Sequence, residues 1–439
     1  MQRAPERVVR RILRAQGQQA WVELALRYGR SFRFSTMVAT CEPAAVQALL
    51  MDRAHAEVRP KVLRIMAKLP GADGILFMDG EPWLTRTRAV MPVFHQRNVD
   101  SYAGSLREAT LVHIARWEAQ GRVPDLADAV QQLGAASVLR MGYGLDPDDP
   151  LAARLGRALV AYKQFTMRPE PRGRIDDVAA GPEKILALPW IIGTIVGMAR
   201  LTRDVRGAVR AILRDARTPG DRPDWITRLQ QAGLPEDALA LEINHFYGAF
   251  NAIDYVLTAA LNELARDHAL AATLREEIAG ALGDREPAEH GDLLRLPRTH
   301  AFMLEVFRRY PVSTSVVRRT GKPIELGGET LPAGTQVAIL LHALHHHPDF
   351  WDEPGRLKPE RWLPSLAPRV PYSYVPFLDG SRKCIGRGMA EMHMLVVLTT
   401  IIRRFDLRVF ADAIVPRYSI PRFAAPIPFS LQSPASLAG

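Results

Sequence analysis

The sequence predicts a mainly helical protein with a small β-rich side, and three observations lead there. Residues from about 105 to 235 carry helical patterning, broken only at the charged, proline-bearing stretches 146–150 and 168–172. From Pro235 to about Asp267 a long segment spreads Ile243, Phe246, Tyr247, Phe250, Tyr255 and Leu257 around much of a helix's circumference, the pattern of a helix inside a protein. Strand-like patterning is concentrated at residues 31–40 and 324–341.

Taken in order, residues up to about 70 mix helical spacing (Val8, Ile12, then Trp21, Leu24, Leu26) with the alternating stretch 31–40, which places a sheet edge near the N-terminus. Glycines around an apolar centre over 71–80 suit a mobile loop over a pocket. Pro82 then suits the first turn of a helix holding Trp83, Arg86, Thr87, Arg88 and Phe94. Residues 269–310 continue as helices, and Gly327 and Gly328 turn a hairpin. A helix from Met389 to Phe405 and a proline-dotted tail of short strands and turns complete the chain.

Composition bounds the function. Hydrophobic residues make up 47% and charged residues 24% of the 439, an ordinary globular balance. No stretch reads as a linker, so residues 1–439 are expected to form a single domain, with two merged lobes as the alternative. The formal charge of +10 suits an acidic partner or a solvated basic face, while the absence of aromatic interleaving and zinc-finger spacing argues against nucleic acid. The N-terminus lacks the apolar core of a signal peptide. The most apolar run, 185–201, contains Pro189 and is short for a membrane span, so it reads as a helix packed on the body. Cys41 and Cys384 are the two cysteines, too few for a disulfide framework, which points to a reducing compartment such as the cytoplasm.

An isolated free cysteine is ordinarily a small buried hydrophobe. Cys384 sits in a richer setting: Arg382 and Lys383 are cationic, and a helix starting near Ile385 turns the positive end of its dipole to the sulfur, so easy deprotonation and metal ligation are expected. Gly380 lets the loop turn, Gly386 leaves bare backbone where a flat macrocycle can approach, and Phe377 supplies an apolar wall. Together Phe377, Gly380, Arg382, Cys384, Gly386 and Ala390 match Phe-x-x-Gly-x-Arg-x-Cys-x-Gly-x-x-x-Ala, which resembles the heme-binding loop of the cytochrome P450 family, the heme-thiolate monooxygenases.

Further motifs follow in that family's order from Gly248 to Ala390, with a weaker one at 83–94. The resemblance implies a helical prism with heme (iron protoporphyrin IX) between the central helix and the cysteine loop, and Cys384 as iron ligand. Trp83 would meet a heme propionate, with Arg88 or Arg86 beside it because Thr87 stands where the family has arginine. Arg318, with Arg319 as rival, falls where the family often has another propionate-binding arginine. Glu305, Arg308 and Arg361 would form a buried structural ion triad. The histidines 345–347 resemble a structural stretch rather than a metal site. In the central helix, Asn251 and Ala252 occupy the places of the family's proton-relaying acid and alcohol.

The expected function is insertion of one oxygen atom from dioxygen into a small, fairly apolar organic substrate. Electrons would come from a separate ferredoxin or flavin-bearing reductase, with docking near Arg387, Arg403 and Arg404. The alternative is a reductase-independent heme-thiolate isomerase, dehydratase or peroxygenase: residues 250–252 are weakly similar to the plant hydroperoxide-rearranging branch, although its longer cysteine loop is missing. A non-catalytic heme-binding protein is the third reading.

Overall fold

The computed structural model describes residues 1–56, 74–146, 148–166, 184–214, 224–287, 289–364, 369–410, 423 and 425–433, with side chains except at 14, 160, 162–166, 184–192, 194, 195 and 251. The expected loop at 71–80 is therefore described from Gly74 onward. The break at 168–172 and most side chains of the apolar run 185–201 lie outside the described residues. The chain divides into two compact units: Met1–Pro60, Phe94–Gly134 and Asn251–Gly439 form the first, Lys61–Val93 and Ala135–Phe250 the second.

The first unit holds the strands. They are β1 (Gln2–Arg3), β2 (Ser31–Phe34), β3 (Met37–Thr40), β4 (Val316–Arg319), β5 (Ile324–Leu326), β6 (Glu329–Leu331), β7 (Gln336–Ile339), β8 (Asp406–Val409) and β9 (Phe429–Gln432). Residues 31–40 are a hairpin rather than one strand. The turn carries neither glycine nor proline, and Ser35 takes the positive φ of 49° itself, so the alternating pattern ran through it unmarked. Five strands form one sheet in the order β1-β2-β3-β7-β4, with Val38 opposite Val337 in the parallel β3–β7 pair and Arg318 opposite Val337 on the antiparallel side. Phe32, Val38, Ala39, Val337 and Ile339 bury one core with Val9, Ile12, Leu24, Leu49 and Leu50 from the N-terminal helices. Ile324–Leu326 and Glu329–Leu331 pair as the expected hairpin.

Behind the cysteine, the helix Arg387–Arg404 is buried at every residue from Met389 to Ile402, so packing rather than a single apolar face holds it. In the second unit, Trp225 is wholly buried and meets Phe246 edge-on at 5.5 Å and Phe250 at 5.7 Å. Asp224 caps that tryptophan's helix by accepting from the Thr227 N–H at 2.7 Å. The central helix, Glu236–Arg266, runs within one residue of its expected bounds. Most of it is buried, yet its surface opens at Gly248 and Ala249 and is half open at Ala252. A Cβ added to Gly248 would meet nothing within 4 Å. Among the described residues, no helix is long and apolar enough to cross a membrane.

Candidate heme site

The cysteine loop is built by its backbone. The Cys384 N–H donates to the Phe377 carbonyl at 2.8 Å and the Lys383 N–H to the Gly380 carbonyl at 3.3 Å, so a tight turn is nested inside a closed loop. Gly380 is obligatory: its φ is +74°, and a Cβ there would stand 2.0 Å from the Leu50 carbonyl oxygen. Asp379 accepts the Gly380 N–H at 2.8 Å, and the Tyr372 hydroxyl donates to the other Asp379 oxygen at 3.1 Å. Phe377 meets Phe307 edge-on at 4.9 Å. Gly386 is the N-cap of the helix starting at Arg387, and a Cβ on it would sit 3.9 Å from both Cys384 Sγ and Phe94.

Cys384 is exposed, unlike Cys41, and both thiols are free. One side of the sulfur is open while protein encloses the rest. Desolvation by that enclosure pushes the thiol above its ordinary value, and a hydrogen bond from the Gly386 backbone pulls the other way without reversing the shift. The expectation of easy deprotonation is therefore corrected. Arg382 turns inward and is buried, Lys383 points outward, and neither sets the charge balance of the sulfur. A coordinated metal ion deprotonates its thiol ligand directly, so the protein need not.

The residues fit a heme. Cys384 can supply one thiolate ligand to an iron whose other ligands belong to a macrocycle. The open thiol, the bare Gly386 backbone and the Phe377 wall leave a flat apolar group room on one side. On β4 the two candidate arginines alternate: Arg318 is buried, whereas Arg319 is half-buried and donates to the Gly334 carbonyl at 3.3 Å.

Glu305, Arg308 and Arg361 come together as expected from the resemblance. Arg308 makes a two-pronged contact with Glu305 at 2.8 and 2.9 Å and gives its remaining donors to the carbonyls of His345, Pro354 and Arg356. Arg361 reaches Glu305 at 3.3 Å. Two further donors escaped the sequence reading: the Trp362 indole N–H at 2.9 Å and the Lys358 backbone N–H at 3.0 Å. His342, His345 and His346 are buried, and His345 accepts the Val375 N–H at 3.1 Å, a structural use.

In the second unit Trp83 is half-buried, and Arg88 is exposed, its side chain at 74%, lying 4.0 Å from Glu81. Arg86 turns inward instead and donates at 3.0 Å to Glu242, a wholly buried carboxylate that also accepts the Ile75 N–H at 3.2 Å. Glu242 was not anticipated, because a single acid on an apolar helix carries no sequence mark of its partner. Thr87, at the motif's arginine position, buries a hydroxyl that has no hydrogen-bond partner among the described residues. Gly74 packs so closely on His245 that a Cβ would overlap its ring. On the central helix, Ala252 brings no polar group, and the Asn251 side chain lies outside the described residues.

The basic side expected to receive a redox partner is largely engaged. Arg403 donates to the carbonyls of Gly283 and Arg285, Arg404 to Glu286, and Arg387 to Glu391. Of the three, Arg387 stays most open, its side chain at 62%.

Comparison with known proteins adds the family. Residues 231–427 match the family described as Cytochrome P450. A cyclooctat-9-en-7-ol 5-monooxygenase of Streptomyces melanosporofaciens is 27% identical over 75% of this chain and 71% of its own length. Cyclooctatin synthase of the same organism is 26% identical over 88% and 84%, and a taurochenodeoxycholic 6 alpha-hydroxylase of Sus scrofa is 25% identical over 84% and 76%. The matched segment contains the open helix surface, the Glu305 cluster and the cysteine loop, and relatives aligned along most of the chain include a monooxygenase and a hydroxylase by name, so residues 231–427 belong to the cytochrome P450 family of heme-dependent monooxygenases.

Proposed function

We propose that this chain is one heme domain over residues 1–439, in which Cys384 is the axial iron ligand, and that it inserts one oxygen atom from dioxygen into a small, fairly apolar organic substrate using electrons from a separate protein. The observation that carries this is the open, enclosed thiol of Cys384 on a loop fixed by its own backbone. Relatives named as a monooxygenase and a hydroxylase support oxygen insertion. Heme supplies the oxygen-activating chemistry when bound. The protein's part is orientation and access: Phe377 and Gly386 shape the cysteine side, and Arg318 and Arg382 offer buried guanidinium groups for propionates. For Trp83 and Arg88 the propionate role rests on the motif at 83–94, and Arg88's exposure leaves it freer than Arg86 to turn toward a carboxylate. Two free cysteines fit a reducing compartment such as the cytoplasm. The electron donor is proposed to be an acidic ferredoxin or flavin-bearing reductase meeting Arg387; raising salt should then slow heme reduction.

Ala252 favours a second reading. It has no proton to give, so protons at that point come from water, from Asn251-held substrate hydroxyls, or are not needed, as in a peroxide-driven or isomerising enzyme. Turnover assayed with and without a reductase separates the two. Reduced protein under carbon monoxide should develop the long-wavelength Soret band of thiolate-ligated heme, and a wild-type protein that never does so refutes Cys384 as ligand.

A further inference from the structure

The geometry points to Glu391 as a positioning residue that fixes Arg387 against the cysteine loop and, with that paired charge, sets the reduction potential of the bound iron. The inference rests on Cys384 being the iron ligand. Glu391 is one turn after Arg387 on the cysteine helix and is nearly buried, its side chain at 5%. Its Oε1 accepts from Arg387 Nε at 2.9 Å, and its Oε2 lies 2.6 Å from His290 Nε2. His290 is anchored in turn, its backbone N–H donating at 2.8 Å to an Asp100 oxygen that also accepts from Gln96.

An exposed arginine ordinarily wanders among rotamers and contributes little fixed field. Here the carboxylate holds Arg387 so that its guanidinium carbon stands 5.9 Å from the Phe377 ring centre, and the carbonyl of Phe377 receives the Cys384 N–H. The held charge thus lies against the loop that carries the thiol. Glu391 keeps its own charge despite burial: desolvation pushes its carboxyl up, but the hydrogen bonds from His290 and Arg387 more than offset it, for a net lowering. His300 and Tyr374, from neighbouring segments, also face this group.

A positive charge near the iron favours the reduced form and a negative one the oxidised form. Removing each partner therefore moves the potential in opposite directions. The experiment is a redox titration of heme-loaded wild type, Glu391→Gln and Arg387→Met, with heme content measured in parallel. Glu391→Gln keeps a side-chain oxygen that accepts from Arg387 Nε but removes the negative charge, so it should raise the midpoint potential, and Arg387→Met should lower it. A merely loosened loop would shift both the same way, and that result, or unmoved potentials at wild-type heme content, overturns the inference. Should Glu391→Gln fail to load heme, Arg387→Met and Arg387→Lys decide: lysine restores the charge and should return the potential toward wild type, and equal potentials in that pair overturn the proposal. A wild type without the long-wavelength band would instead refute Cys384 as ligand.

Discussion

The Glu305 cluster and the cysteine loop occupy the same unit and touch through Phe307 and Phe377, yet they handle polarity in opposite ways. Glu305 and Arg308 are wholly buried charges, and donors from Arg308, Arg361, Trp362 and Lys358 satisfy the carboxylate. Cys384 is enclosed but left open on one side, its thiol pushed up by desolvation and helped by a single backbone hydrogen bond. A completed polar network has nothing left to offer a ligand and serves the fold. An incomplete one, held rigid by its backbone, is prepared for a group that is not protein.

The contrast breaks most visibly at Glu305. Glu305→Ala leaves Arg308 buried and unpaired, and about 3–5 kcal/mol of stability should go with it. Little soluble, heme-loaded protein is expected, and a urea midpoint equal to wild type would contradict the structural role. Gly380→Ala strikes the loop's frame instead: strained φ alone costs about 1–3 kcal/mol, with displacement of the Leu50 backbone in addition. Thermal unfolding and heme content should fall together, and normal heme loading would mean that the loop has room to spare.

Acid offers a third test. Burial holds His342 and His345 neutral, lowering each to about 3, whereas the unfolded chain takes up protons near 6.5. The unfolded state then binds more protons between those values, so stability is full above pH 6.5 and declines as pH falls toward 3. Protonating His345 also removes the acceptor for the Val375 N–H, just ahead of the cysteine loop. Denaturant midpoints measured from pH 7 to 4 should fall, and a flat profile would rule these histidines out.

Cys384→Ala should do the reverse of Glu305→Ala. The unfolding midpoint of the heme-free protein should stay within about 1 kcal/mol of wild type, because an exposed side chain is lost, while the thiolate signature vanishes. The smallest structural effect belongs to Ala252→Thr on the half-open helix surface. It should lower peroxide release with non-native substrates, whereas Asn251→Ala should abolish turnover of an oxygen-bearing native substrate. Tight coupling in the wild type that neither change affects would remove any catalytic consequence of this pair.

The residues explain which parts were legible beforehand. The central helix announced itself through apolar residues on all sides, and the cysteine loop through glycines at fixed spacing from Cys384, since both features are local in sequence. Glu305, Arg308 and Arg361 became readable through the family resemblance. What stayed hidden depends on distant partners: the indole of Trp362 on Glu305, Arg86 choosing Glu242, and His290 meeting Glu391 from a hundred residues away. The hairpin at 31–40 was missed because Ser35 turns the chain without a turn residue. Sulfur acidity follows desolvation, opposed only by the Gly386 backbone hydrogen bond, and the charged neighbours in sequence, Arg382 and Lys383, do not contribute.

The tight fit of Gly380 against the Leu50 carbonyl has a consequence for biosynthesis. Residues some three hundred positions apart must already be docked before the cysteine loop has its shape, and the parallel β3–β7 pair joins equally distant segments. Contacts of such separation form slowly and late, after loop-closure entropy has been overcome. The chain from Leu50 through the cysteine loop must have left the ribosome before the loop exists, so cofactor capture follows the docking of these distant segments. Cells short of heme at that moment would accumulate a chain whose β-rich scaffold has formed around an open thiol, exposed to oxidation in proportion to how long it waits.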